Sequence, residues 1–323
     1  MMESFSDRLI DDIDNSKSNV CLGIDPRIKE IVLKYVPDNP REHYWIPESL
    51  VHAQVKKNGK RKGRAMAAEI FSKGLVDATD PYISVYKPNL AYFSALGLEG
   101  LNALRNLVEY IHETTGKNVI LDSKSNDIGT TMLHYAVAWF DEFKVDATTI
   151  NPYFGLDGVS PYMEHFINSA KKRGRGAMIL CKTSNPSSID FQDLIVGQKR
   201  VYELVAEKIA IWGKRLVGRR GYSSLGAVVG ATFVKELKLL RTLLSRNLLL
   251  IPGLQVQGGN PEDVAAISTD EDGYGAIFSS SRGINFAYMR KEGYTDDTWK
   301  EAASDSAREL KNSINQALTN RRD

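Results

Sequence analysis

Lys87, Asp122, Lys124 and Asp127 form an alternating series of cations and carboxylates, the last three within the stretch Val119-Ile-Leu-Asp-Ser-Lys-Ser-Asn-Asp-Ile-Gly. Residues two apart in a strand point to the same side, so Asp122 and Lys124 would share one face of it. An ammonium flanked by carboxylates stays charged even in a dry site, because opposite charge close by favours the ionised form. It is then a fixed cation and a proton donor at once, fit for electrostatic and acid–base work. A plain ion pair with an N-capping aspartate would account for Asp122, Lys124 and Asp127 by themselves. Lys87 tips the balance toward chemistry, because a second cation beside that pair adds a desolvation cost that an ordinary core has no reason to carry.

The elements that must hold these residues read as βα units. Eight short apolar, β-branched runs recur: Asn19–Asp25, Tyr82–Asn89, Asn118–Lys124, Asp146–Asn151, Ala177–Lys182, Leu225–Ala231, Asn247–Pro252 and Tyr274–Ser280. Their continuous apolar character marks strands buried on both faces. Stretches near 65–78, 98–115, 129–143, 157–171, 199–217, 233–245 and 261–268, with a C-terminal 295–320, carry helical periodicity. Eight strands alternating with eight helices predict a single (β/α)8 TIM barrel, one α/β domain over 1–323 with an insertion after strand 1. A doubly wound open sheet fits the alternation too. Against it, nearly every run ends in a polar group, namely Asp25, Lys87 with Asn89, Asp122 with Lys124, Asn151, Lys182 to Ser184, Thr232, Gln257 or Arg282. A closed barrel gathers such ends at one mouth, whereas an open sheet spreads them along an edge.

Composition narrows the class. The 323 residues carry 42 Lys plus Arg against 40 Asp plus Glu, a net charge of +2, which leaves no field to hold a polyanion, so no nucleic-acid partner is expected. No apolar stretch nears the roughly 18 residues of a membrane span, and the acidic N-terminus is unlike a signal peptide, so no membrane association and a cytoplasmic location are expected. Cys21 and Cys181 lie far apart in apolar runs, and the five histidines make no HExxH or HxH pair, so neither a disulfide nor a metal site is expected. Residues 27–64 exceed the usual βα loop and include the basic run Lys56, Lys57, Lys60, Arg61, Lys62 and Arg64, read here as solvated loop surface. Thr183 to Lys199, polar and containing Pro186, suits a mobile lid. Neither the 27–64 insertion nor the basic stretch Arg215–Arg220 acquires a role from the sequence.

Asp122-Ser-Lys124-Ser-Asn-Asp127-Ile128 resembles the D-x-K-x-x-D-I signature of the orotidine 5′-phosphate decarboxylases. Gly23-Ile-Asp25-Pro26 and Lys87-Pro-Asn89 are similar to that family's first- and second-strand motifs. Thr183-Ser184-Asn185-Pro186, Val229-Gly230-Ala231-Thr232, Pro252-Gly-Leu-Gln-Val-Gln257-Gly-Gly and Ser281-Arg282-Gly283 follow in the order seen in its longer bacterial subgroup. The resemblance implies decarboxylation of orotidine 5′-monophosphate to uridine 5′-monophosphate, the last step of de novo pyrimidine synthesis, without metal or organic cofactor, by a homodimer of barrels. Lys124 would protonate C6 as carbon dioxide leaves, and Asp122 would lie beside the substrate carboxylate. Lys87, with Asp127 from the neighbouring subunit, would complete the charged array and, with Asp25 and Asn89, hold the ribose hydroxyls. Ile128 would reach the neighbouring site with Asp127, and Thr131 would join the substrate-binding set. Ser184 would contact the pyrimidine edge, while Gln257 and Arg282 would grip the phosphate. The chain departs from the family pattern at Ser281, where Gly is frequent, and at Leu254-Gln255-Val256, where Gly or Ala is common.

Two other readings compete. A Mg²⁺-dependent sugar-phosphate decarboxylase or aldolase of the same barrel superfamily shares D-x-K-x-x-D, but the Thr-Ser-Asn-Pro and Pro-Gly…Gln-Gly-Gly segments argue against it. A non-catalytic RNA-associated protein using the basic run of residues 56–64 would leave the strand-end residues unexplained.

Overall fold

The structure, a computed structural model, describes residues 3–39, 42–168, 174–231, 234–253 and 261–321. All eight expected strands form: β1 (Val20–Ile24), β2 (Val85–Pro88), β3 (Asn118–Ser125), β4 (Ala147–Ile150), β5 (Gly176–Lys182), β6 (Ser223–Val229), β7 (Asn247–Pro252) and β8 (Ala276–Ser280). They pair in parallel in chain order, and β1 closes the ring on β8 through Val20 against Phe278 and Leu22 against Ser280. That closure excludes the open sheet. Helices such as Lys60–Thr79, Gly97–Thr115 and Trp299–Asn320 cover the outside.

Alternation along the strands sorts the barrel into two zones. Cys21, Val85, Ile120, Ala147 and Met178 belong to one buried apolar cluster, and Val20, Leu22 and Ile24 belong to another that includes the outer helices. Two or four residues further along the first rows stand Asp25, Lys87 and Asp122. The interior is therefore apolar below and charged toward the C-terminal ends of the strands, the end at which barrel sites are built.

A helix absent from the sequence reading, Phe5–Ser16, closes the lower end. Its Phe5, Leu9, Ile10 and Ile13 join the interior apolar cluster. Ser4 caps it, its hydroxyl accepting from the Asp7 N–H at 3.1 Å. The backbone N–H groups of Arg219 and Arg220 donate to the Asp7 carboxylate at 3.2 and 2.8 Å, and both side chains pair with Asp11. Arg219 and Arg220 thus gain a role that sequence did not supply: they fix this plug, and the acidic N-terminal segment is their complement.

Residues 27–64 are helical rather than a loop, although Lys56, Lys57, Lys60, Arg61 and Lys62 of the basic run are exposed as expected. They form the helices Lys29–Tyr35 and Glu48–Asn58 and the first turns of Lys60–Thr79, parted by Gly59 at φ +77°. Lys and Arg are good helix formers, and within the run Arg61 pairs with Glu99 at 2.8 Å and Arg64 with Glu30. After β5 the chain makes a short turn over Pro186–Asp190 and a small antiparallel hairpin, Ile195–Val196 with Lys199–Arg200.

Asp146 ties the floor together. Fully buried, it accepts from Arg8 at 3.0 Å, from the Val119 N–H at 2.9 Å and from Arg175 at 3.4 Å, with His112 Nε2 at 2.8 Å. Asp146→Ala strips the carboxylate from two largely buried arginines and should cost about 3–5 kcal/mol in urea unfolding. A loss below about 1 kcal/mol would show that Asn118 Oδ1 and the Glu3 and Gly174 carbonyls, which also accept from Arg8, suffice.

Candidate active site

The pairing of β2 with β3 sets the charged array. It runs through Val85 against Asn118 and Tyr86 against Val119 to an isolated bridge between Asn89 and Asp122. Lys87 Nζ donates to Asp122 Oδ2 at 2.9 Å, and Lys124 Nζ donates to Asp122 Oδ1 at 2.5 Å. Thr149 Oγ1 on β4 donates to the same Oδ1 at 3.0 Å and accepts from the Lys124 N–H at 2.9 Å. The β3–β4 register breaks between Leu121 and Ser125, and Lys124 adopts φ +48°. A side chain larger than Gly in that left-handed region costs on the order of 1 kcal/mol or more, and such strain persists only where neighbours impose it. The irregularity turns Lys124 outward: its side chain is 51% exposed, against 9% for Lys87 and 11% for Asp122.

Burial pushes the Asp122 carboxyl up, but Lys87 and Lys124 outweigh it and hold the group well below the usual carboxylate range. For Lys87, burial opposes the ammonium, yet Asp122 foremost keeps it above its ordinary value. Asp25 differs. Burial raises its pKa, offset only in part by Lys87 and Arg27. Its backbone N–H donates to Asn285 Oδ1 at 2.9 Å, while its own Oδ1 is buried with no hydrogen-bond partner. A buried carboxylate oxygen lacking a donor is costly, and a ligand hydroxyl would satisfy it. Ser281 stands over Gly23, where an added Cβ would fall 1.9 Å from its hydroxyl oxygen, so glycine at 23 makes room for serine at 281.

A closed barrel whose mouth holds a carboxylate between two lysines, beside an unsatisfied aspartate, can be compared with known proteins. The sequence profile of the Orotidine 5'-phosphate decarboxylase / HUMPS family matches residues 18–295. The chain belongs to the orotidine 5′-phosphate decarboxylase family. It is 35% identical over 332 residues to the orotidine 5′-phosphate decarboxylase of Caldicellulosiruptor saccharolyticus, covering 98% of this chain and 100% of the relative. It is 36% identical over 288 residues to that of Clostridium novyi, covering 88% and 90%. The structure of Leishmania donovani OMP decarboxylase superposes with a TM-score of 0.73 at 28% identity, covering 98% of this chain and 99% of that one.

Of the residues expected from the decarboxylase motifs, the structure brings Asp25, Lys87, Asn89, Asp122 and Lys124 together. Asn89 also caps the following helix, its Oδ1 accepting from the Ala91 N–H at 3.1 Å. Asp127, Ile128 and Thr131 stand apart on the rim. Asp127 Oδ1 accepts from the Ile128 N–H, and no ion pair among the described residues joins it to either lysine. Ser184 is the second residue after β5 and lies against Gly230, where an added Cβ would fall 2.9 Å from Ser184 Cβ. Arg282 opens the helix after β8 and pairs with Glu42 at 2.9 Å. Gln257 and Thr232 lie outside the described residues.

Three participants escaped the sequence, and a fourth, Lys182, stood out there only as a strand-end group. Thr149 was detectable, since strand alternation on β4 places it level with Asp122. Lys182, fully buried, pairs with Asp193 at 2.8 Å and so tethers the post-β5 segment from within. Arg27 and Glu42 gave no sign, because Glu42 joins Arg27, 15 residues before it, to Arg282, 240 residues after it.

The depressed carboxyl sets a pH dependence. A carboxylate held below its unfolded value adds stability that is complete above about pH 4 and fades as pH falls toward the folded value. Asp122→Asn, which leaves Lys87 buried beside a neutral group, should cost about 3 kcal/mol in urea unfolding at pH 7. The difference from the parent chain should shrink as pH drops from about 5 toward 2.5; a constant difference would remove Asp122 charge as its source.

Proposed function

We infer that this member of the family converts orotidine 5′-monophosphate to uridine 5′-monophosphate and carbon dioxide, with Lys124 as the proton donor. The observation that carries the reading is Asp122 held between Lys87 and Lys124 at the barrel mouth. Breaking the C6–carboxylate bond leaves its electron pair on an sp² carbon with no adjacent sink. The Lys124 ammonium stabilises that charge and passes a proton to C6, keeping the N–H electron pair on Nζ. Half exposed, Lys124 can regain its proton from water. Asp122, kept ionised by its two cations, faces the substrate carboxylate and favours its loss.

The remaining roles follow from position. Asp25, through its unpartnered oxygen, and Asn89 accept and donate to ribose hydroxyls. Ser184 meets the pyrimidine edge, and Gln257 and Arg282 bind the phosphate, remote binding that can be expressed as a lower barrier at C6. The segment from Thr183, tethered by Lys182, closes over the bound nucleotide. The chain works as one barrel domain, 27–64 being an insertion within it, in the cytoplasm. No helix of the described residues is long and apolar enough to cross a membrane.

The working unit in this reading is a homodimer. Among the described residues no cation pairs with Asp127, and Ile128, Leu133, Phe154 and Leu156 are exposed on the same rim. Asp127 and Ile128 then enter the neighbouring site, where Asp127 meets Lys87, and Thr131 contributes beside them.

Loss of the pyrimidine absorbance of orotidine 5′-monophosphate, with EDTA present, tests the reaction. Lys124→Ala should lower kcat by at least about 10³-fold. Turnover abolished by chelation, or absent altogether, would overturn the reading. Mixing inactive Lys124→Ala and Asp127→Ala chains should restore activity through hybrid dimers with one intact site. Absence of recovery despite demonstrated subunit exchange would refute the shared site.

A further inference from the structure

The insertion takes no part in the reaction as derived, yet one of its carboxylates reaches the phosphate end of the mouth. Glu42 lies between two arginines. Its Oε1 accepts from Arg282 Nη1 at 2.9 Å, and its Oε2 accepts from Arg27 Nη1 at 2.7 Å. Arg27 is held by more than this pair. It donates to the Glu42 carbonyl at 3.2 Å, and its guanidinium carbon lies 5.5 Å from the Tyr92 ring centroid and 5.8 Å from that of Phe286. Its Nε is buried with no hydrogen-bond partner. The Arg27 side chain is 10% exposed, whereas the Glu42 side chain between the arginines is 33% exposed and can swing toward solvent.

A carboxylate whose two oxygens each take one guanidinium N–H has the donor pattern of one edge of a phosphate. The charges point the same way. Glu42 already takes up charge from both guanidiniums, Asp25 also bears on Arg27, and a phosphate dianion arriving at Arg282 would meet the Glu42 charge within a few ångströms. With Glu42 rotated out, Arg27 and Arg282 present two cations to a dianion, and the unsatisfied Arg27 Nε gains an available acceptor.

We propose that Glu42 is a resident stand-in for the substrate phosphate: the phosphate displaces its carboxylate from both arginines, and Arg27 becomes a second phosphate-binding residue. This rests on the assignment of Arg282 to the phosphate of a nucleotide substrate. The stand-in keeps two like charges aimed and paired while the site is empty. A nucleoside, lacking the dianion, does not displace it, so the exchange bears on discrimination between nucleotide and nucleoside.

The test compares kcat/KM for orotidine 5′-monophosphate with that for orotidine, the same molecule without its phosphate. Glu42→Gln keeps the shape but removes the competing charge, so the ratio of the two should rise about three- to tenfold, and inhibition by inorganic phosphate should strengthen similarly. Arg27→Met should lower the ratio by about tenfold or more; should that variant fail to fold, Arg27→Lys, which keeps charge but loses the fork, should lower it less steeply. A ratio that is unchanged or lower in Glu42→Gln, or unchanged in the folded Arg27 variant, overturns the proposal. A parent chain inactive on the nucleotide would instead refute the decarboxylase reading, and binding of inorganic phosphate to the parent and Glu42→Gln chains would then decide the role of Glu42 alone.

Discussion

A carboxylate taken out of water must be given cations, and cations taken out of water must be given a carboxylate. Asp122 and Lys87 meet that demand for each other inside the barrel, and neither would be tolerated there alone. Lys124 is the surplus: its ammonium satisfies the second Asp122 oxygen from the solvent side, where a substrate can approach it. The array is thus graded, with a buried ion pair inside and a half-exposed cation at the mouth. Thr149 and the register break in β3 hold that gradation in place. Lys124 keeps its left-handed backbone there, its N–H bound to Thr149 Oγ1.

The grading depends in turn on dryness from below. Apolar rows beneath the charges and the plug helix leave the array a single open side, so fixed dipoles and charges act there at greater strength than water would allow. Asp25 belongs to the same economy of solvent. Its unpaired oxygen is an energetic fault that a donor entering the mouth would remove.

Much of this is legible in the chain, for physical reasons that differ by element. The eight strands show themselves because burial on both faces demands unbroken apolar runs, and the polar residues that end those runs mark the mouth. Asp122 and Lys124 were placed on one side by simple alternation, and they do meet, but by way of a register break that depends on Thr149 of a neighbouring strand. The Phe5, Leu9, Ile10 and Ile13 stripe of the plug helix was present yet masked by the acidic residues around it, whose arginine partners lie more than 200 residues away. The basic run near residue 60 misled in the opposite direction, since a charge run on a helix and one on a loop look alike until Glu30 and Glu99 are brought alongside. Glu42 is the extreme case. Nothing local distinguishes it, and its meaning comes wholly from two arginines placed by opposite ends of the chain.

The plug helix has a consequence in time as well as space. It precedes every other element in the chain, yet its backbone anchors, Arg219 and Arg220, follow it by 212 and 213 residues. Contacts of such long range close late, after the entropy of the intervening loop has been overcome by other pairings. During synthesis the segment must therefore wait, its apolar stripe exposed, until five strands have assembled around the place it will occupy. The sequence of Asp7, Asp11 and Asp14 along that stripe then has a second value: acidic side chains beside a hydrophobic face keep a waiting helix from sticking to its neighbours.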